Sequence, residues 1–139
     1  MFPGFREIGD KLGPFDITLL ELGAYSPLWA DVHLGPEQAV QAHVDLRGEL
    51  MMGVHWGTFN LALHGWTEPV ERLLAESKRR DIRVVVPKPG QSFDDTTTEE
   101  VVRWWPQLRW QTSDETPVVS SGLVLSAAPQ GTQEASSKQ

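Results

Sequence analysis

The chain has 139 residues, with 12 Lys and Arg against 19 Asp and Glu and a formal net charge of −7, which argues for one domain and against a nucleic-acid partner. Hydrophobic residues make up 40% and charged residues 22%, a balance that folds in water and is too apolar for full disorder. Cysteine is absent, which excludes disulfides, thiolate zinc sites, iron–sulfur clusters and a cysteine nucleophile. No apolar stretch approaches the roughly 18 residues of a membrane span, and the N-terminus lacks the basic-then-apolar pattern of a signal peptide, so a cytoplasmic location is expected.

Phe5, Ile8 and Leu12 recur at helical spacing ahead of Gly13 and Pro14, predicting a short amphipathic helix with a built-in stop. The run from Phe15 to Leu22 is nearly continuous in apolar residues and ends at Gly23, as a buried strand does. After a loop holding Pro27, Trp29 and Pro36, residues Ala39, Val40, His43, Val44 and Leu46 fall on one helical arc, with Pro36 in the first turn. Met51 to His55 reads as a second strand, and a loop follows through Trp66. Val70, Leu73 and Leu74, after Thr67 and Pro69, predict a third helix with basic residues at its dipole-favoured end. Ile82 to Pro87 predicts a third strand. This alternation of helix and strand is the signature of an α/β layer structure.

From Thr112 to Gln139 the composition shifts to Ser, Thr, Gln, Pro and Ala, which cannot offset its ordering entropy. The expected organisation is therefore a folded unit over residues 1–111 and a flexible low-complexity tail over 112–139. Trp104, Trp105 and Trp110 crowd the segment before that tail. They either present a contact surface or fold back as a last layer, and the second reading is preferred.

Ligands of open α/β sheets gather where strands end and loops begin. His33, His55 and His64 lie in such loops, whereas His43 falls on the apolar arc of a helix and reads as a core histidine. His55 stands at a strand tip, a rigid place for a metal ligand or proton donor. His64 is either a surface loop residue or a support for its neighbours. The histidine spacings of 10, 12 and 9 residues match none of the HxH, HxxxH or HExxH pairs of local metal sites. No GxSxG, GxxxxGK[ST] or GxGxxG is present.

The strings FREIGDKLGPFDITLLELGAY, DVHLGPEQAVQAH, GVHWGTFNLALHGWTEPVERL and VVVPKPGQSF resemble the C-terminal half of metallo-β-lactamase-fold hydrolases, in the branch containing N-acyl-phosphatidylethanolamine phospholipase D. The resemblance runs from Phe5 to Phe93. It implies an α/β fold that is the C-terminal half of an αββα sandwich, with one or two zinc ions at the sheet edge. By the same resemblance His55 is a zinc ligand, and His33 borders the active site, where it could pass a proton to a leaving oxygen. Trp56, Gly57, Thr58 and Phe59 would shape the pocket wall. The implied chemistry is metal-assisted hydrolysis of a phosphodiester or ester, in which zinc lowers the pKa of water.

The family's HxHxDH motif is absent from these 139 residues, and Asp10, on the first helix, is out of register with the family's bridging Asp. A catalytic zinc needs about three protein ligands, and His55 alone is secure on this reading. The chain is thus expected to be a truncated form that binds zinc weakly and does not turn over substrate alone. Its strands would bare an apolar sheet face suited to a missing N-terminal half or to self-association. Two further readings compete: a non-catalytic half-fold interaction module, and a small-ligand binder lined by Trp29 and Trp56.

Overall fold

The computed structural model describes residues 2–97 and 101–120. Helix α1 (Phe5–Leu12), strand β1 (Phe15–Glu21), a 3₁₀ turn (Pro27–Trp29), helix α2 (Pro36–Asp45), strand β2 (Gly48–Val54), helix α3 (Glu68–Arg80) and strand β3 (Val84–Val85) follow in order. The three strands form one parallel sheet in the order β1-β2-β3. The α/β class expected from the sequence is the one observed.

Parallel neighbours in sequential order require helical crossovers, which for a single hand of connection lie on one side of the sheet. Leu20 and Leu22 at the end of β1, Met51 of β2, Ala39, Val40 and Ala42 of α2 and Leu73 of α3 accordingly share one buried cluster. Alternation along β1 divides its residues between the faces. Thr18 and Leu20 are buried, while Leu19 between them is 60% exposed. The face opposite the helices therefore offers Leu19 to its surroundings.

Pro36 opens α2 where a missing N–H costs nothing, and the Gln38 side chain accepts from Gly35 N–H at 2.9 Å, satisfying one of the helix's free donors. Helix α3 carries Glu68 and Glu71 in its first turn and Lys78, Arg79 and Arg80 in its last, which suits the helix dipole. It ends at Asp81 in the left-handed conformation.

The strand bounds differ from expectation in instructive ways. Strand β2 begins at Gly48 rather than Met51 and stops at Val54. Gly48 is required because the His43 ring and the Thr18 methyl occupy the space a side chain would take, a packing demand invisible to a search for apolar runs. Strand β3 keeps only Val84 and Val85 of the expected Ile82–Pro87. Its start is taken by the helix cap, where Ile82 N–H bonds to Ser77 O, and Pro87 lacks a ladder donor at its end.

His43 is buried, and its Nδ1 shares a 2.7 Å hydrogen bond with Thr18 Oγ1, as expected of a core histidine. Arg72 is the other buried polar anchor, its side chain fully shielded from solvent. It donates to both Glu37 oxygens at 2.8 and 2.7 Å, and to Glu68 and the Thr116 carbonyl at 3.4 and 3.2 Å. Its guanidinium also lies 5.0 Å from the centre of the Tyr25 ring. Burial opposes the charge on Arg72, but the Glu37 carboxylate outweighs it and the pKa rises.

Trp104 and Trp105 fold back onto Trp56, with ring centres 5.4–5.5 Å apart. Trp105 donates to Glu71 at 2.9 Å, and Arg103 donates to the same carboxylate at 3.0 Å. The segment expected as a tail enters the described structure as far as Ser120. Within it Thr116 meets Arg72, and Ser120 is fully buried; residues 121–139 lie outside the described part.

Replacing Arg72 by Met strands two carboxylates against a buried wall, and a loss of about 3–5 kcal/mol in urea unfolding is expected. A second prediction concerns pH. Burial, with Arg80 nearby, lowers the His43 pKa from its usual 6.5. The unfolded chain then binds more protons below that value, so stability present above about pH 6.5 is lost as pH falls. Urea midpoints compared at about pH 7.5 and 5.5 should show this decline, and His43→Gln should flatten it.

Candidate metal centre

The β1–β2 register pairs Glu21 with Val54, so the two loops that follow leave the sheet at the same level. Each turns through a left-handed non-glycine residue, Ala24 at φ 62° and His55 at φ 61°. Such values are uncommon outside glycine and collect at functional sites. They also break the alternation of the strand. A regular continuation would send His55 to the face opposite Val54, and hence opposite Glu21; the left-handed turn lets the ring come round to join it.

The outcome is a cluster of three. Glu21, His33 and His55 each bring a donor atom within 4.8 Å of the other two. The His33 and His55 rings stack with centres 5.3 Å apart. Glu21 is held by its surroundings: one oxygen shares a 3.0 Å hydrogen bond with His33 Nδ1, and the other accepts from Leu34 N–H at 2.9 Å. Two imidazoles and a carboxylate suit a borderline divalent ion such as zinc or iron(II). The reading of weak zinc binding counted His55 alone, and the structure sets two further donors beside it.

Glu21 is the residue that sequence reasoning missed. It sits in an otherwise apolar strand, FDITLLE, and a charge within such a run was the signal available. Of the remaining histidines, His64 does not join the cluster. Its Nε2 accepts from Ala24 N–H at 3.1 Å and its ring stacks on Tyr25 at 4.3 Å, so it braces the loop after β1. Tyr25 in turn donates to buried Glu68 at 2.7 Å. Asp10 remains on α1, as expected.

Two grooves flank His55. One, of about 420 Å³, is lined by Trp56, Thr58, Phe93, Trp104 and the cation Lys88. The other is lined by Trp29, Val32, His33 and Leu61. Trp29 and Trp56, grouped in one sequence reading, thus line different grooves. Their indoles are tied to the backbone, Trp29 to Ala24 O at 2.7 Å and Trp56 to Gly53 O at 3.3 Å. Val32 and Leu61 of the second groove are exposed, and so are Leu28, Phe59 and Leu63 in the same loops. Among the described residues no helix is long and apolar enough to cross a membrane.

Gly23 makes the junction possible, because an added Cβ would run into the His55 carbonyl oxygen. Gly23→Ala should cost about 1–3 kcal/mol in chemical denaturation and shift the His55 resonances in a histidine NMR spectrum.

Residues 1–56 match the model of the beta-lactamase superfamily domain. An uncharacterized protein of Mycobacterium tuberculosis is 49% identical over 104 residues, covering 73% of this chain and 28% of its own. The N-acyl-phosphatidylethanolamine-hydrolyzing phospholipase D 1 of Caenorhabditis elegans is 39% identical over 72 residues, half of this chain and 20% of its own. The mitochondrial enzyme of that name from Saccharomyces cerevisiae is 35% identical over 93 residues, 63% of this chain and 20% of its own. Among solved structures, the metallo hydrolase Igni18 of Ignicoccus hospitalis aligns with a TM-score of 0.48 and 24% identity, over 66% of this chain and 35% of that one. The chain thus spans between a fifth and under a third of the length of these curated relatives. Over these partial alignments the chain is similar to beta-lactamase superfamily proteins and to N-acyl-phosphatidylethanolamine-hydrolyzing phospholipases D.

Proposed function

We propose that the chain forms part of a zinc-dependent hydrolase acting on a phosphodiester with apolar substituents. The convergence of His33, His55 and Glu21 at the ends of two parallel strands, beside a groove that also holds Lys88, is the observation that carries this reading. Lys88 offers a positive charge to an anionic phosphoester, and the tryptophans with Val32 and Leu61 offer apolar surface to its substituents. A lactone is a second substrate class of the same ester chemistry.

His55 is the metal ligand on this reading. His33 is the proton carrier to the leaving oxygen, its ring oriented by Glu21, as carboxylates commonly orient functional imidazoles. A bound divalent ion supplies Lewis acidity and lowers the pKa of water. The HxHxDH motif does not occur in these 139 residues, so turnover requires ligands supplied from outside them, and the chain alone is inactive.

A second reading is favoured by Leu19, 60% exposed on the helix-free face of the sheet: a non-catalytic module pairing through that face with a partner chain or with itself. Under the first reading the same face receives the segment that brings the remaining ligands.

The test mixes the chain with the part of the mycobacterial relative that lies outside the aligned 104 residues and follows hydrolysis of bis(p-nitrophenyl) phosphate with zinc present. Activity is expected in the mixture and in neither part alone. His55→Ala should lower it by at least the roughly 10–100-fold that loss of a metal site's outer partner costs. Full activity of the chain alone contradicts the need for outside ligands, whereas a mixture that associates without hydrolysing contradicts the hydrolase reading and selects the interaction module.

A further inference from the structure

We propose that Glu21, His33 and His55 form a three-donor site for one divalent transition-metal ion, contained entirely within these 139 residues, with Glu21 as a direct ligand. The inference rests on the hydrolase reading for His55 and replaces it at His33, which here is a metal ligand and not the proton carrier. It differs in making the ligand set local and in adding a carboxylate that no motif marks.

Metal bonds of about 2.0–2.2 Å set tetrahedral donors about 3.4 Å apart. The observed donors all fall within 4.8 Å of one another, and His33 and Glu21 already meet at 3.0 Å. Side-chain rotation of about an ångström closes the rest. The donors come from three separate places, the end of β1, the loop before α2 and the turn after β2. They are brought together by the strand register and by the left-handed backbone at His55.

The carboxylate is also prepared for the role. Leu34 N–H fixes one Glu21 oxygen at 2.9 Å. Among the described residues no lysine or arginine forms an ion pair with Glu21, in contrast to Glu37, Glu68, Glu71 and Glu76 on the helices, each of which faces an arginine. Each carboxylate oxygen retains a free lone pair after its single hydrogen bond. Two imidazoles and one carboxylate leave positions open on the ion, the donor pattern of non-haem iron(II) and catalytic zinc sites.

The full chain, stripped with chelator and titrated with Co²⁺, reads the site without any substrate. One equivalent is expected to bind with visible d–d absorption and to be displaced by Zn²⁺. Glu21→Gln should weaken uptake about tenfold or more, and His33→Gln and His55→Gln should abolish the absorption, with circular dichroism checking that each variant folds. Should a variant fail to fold, zinc-edge X-ray absorption of the unsubstituted chain takes its place, with two imidazoles and a carboxylate oxygen expected in the first shell. No uptake, a shell without imidazole, or uptake unchanged in Glu21→Gln overturns the proposal. The last result leaves Glu21 only orienting His33. Metal uptake without hydrolysis in the complementation mixture removes the hydrolase reading and leaves this site standing. Hydrolysis that survives Glu21→Gln with unchanged metal affinity does the reverse.

Discussion

The parallel pairing of β1 with β2 is the constraint from which the rest of the molecule follows. It sets Phe15 opposite Gly48 and Glu21 opposite Val54, so the chain leaves both strands at one level and at one end of the sheet. Parallel pairing also forces the connection through α2, which returns the chain to the sheet on the side where Leu20, Leu22 and Met51 point. A slip of one residue would exchange the faces of every side chain on one strand. It would bury Leu19 and Glu21, expose Leu20, and separate the three donor residues. Packing of the core and assembly of the site are therefore two results of one register.

What fixes the loops above that register is a chain of buried polar contacts. Glu37 on α2 holds Arg72 on α3, Arg72 reaches Glu68, Glu68 receives the Tyr25 hydroxyl, and Tyr25 stacks on His64, which holds the Ala24 backbone. Burial and the hydrogen bond to Glu68 push the Tyr25 pKa above the phenol range, so its hydroxyl stays a donor. Taking these charges out of water is expensive, and each is tolerated because its partners are complete. The loop after β1 gains from this a support that extends to the helical layer of the fold.

Much of this organisation was legible in the sequence because it rests on local patterns. Helical spacing at Phe5, Ile8 and Leu12, and Pro36 at a helix start, depend on near neighbours. The same holds for the apolar runs that became β1 and β2. His43 was readable as core from its place on an apolar arc. The site was readable only in part. His33 and His55 stood out through motif strings, but their meeting with Glu21 depends on strand register and on a left-handed turn at a non-glycine residue, neither of which composition encodes. Gly48 was passed over for a related reason: what it accommodates, the His43 ring and Thr18, lies elsewhere in the chain. The shortened β3 reflects Asp81 capping α3 at one end and Pro87 at the other, a competition between elements that a run of valines conceals.

The contact between Arg72 and the Thr116 carbonyl bears on where the packed region stops. A guanidinium sealed from water needs every one of its acceptors, and one of them comes from a stretch whose Ser, Thr and Pro content would otherwise mark it as dispensable. Trimming the polypeptide at Gln111 would unseat that acceptor and open the helix layer to solvent. The packed part of the described structure therefore extends at least to Thr116, beyond the point where the hydrophobic composition gives out.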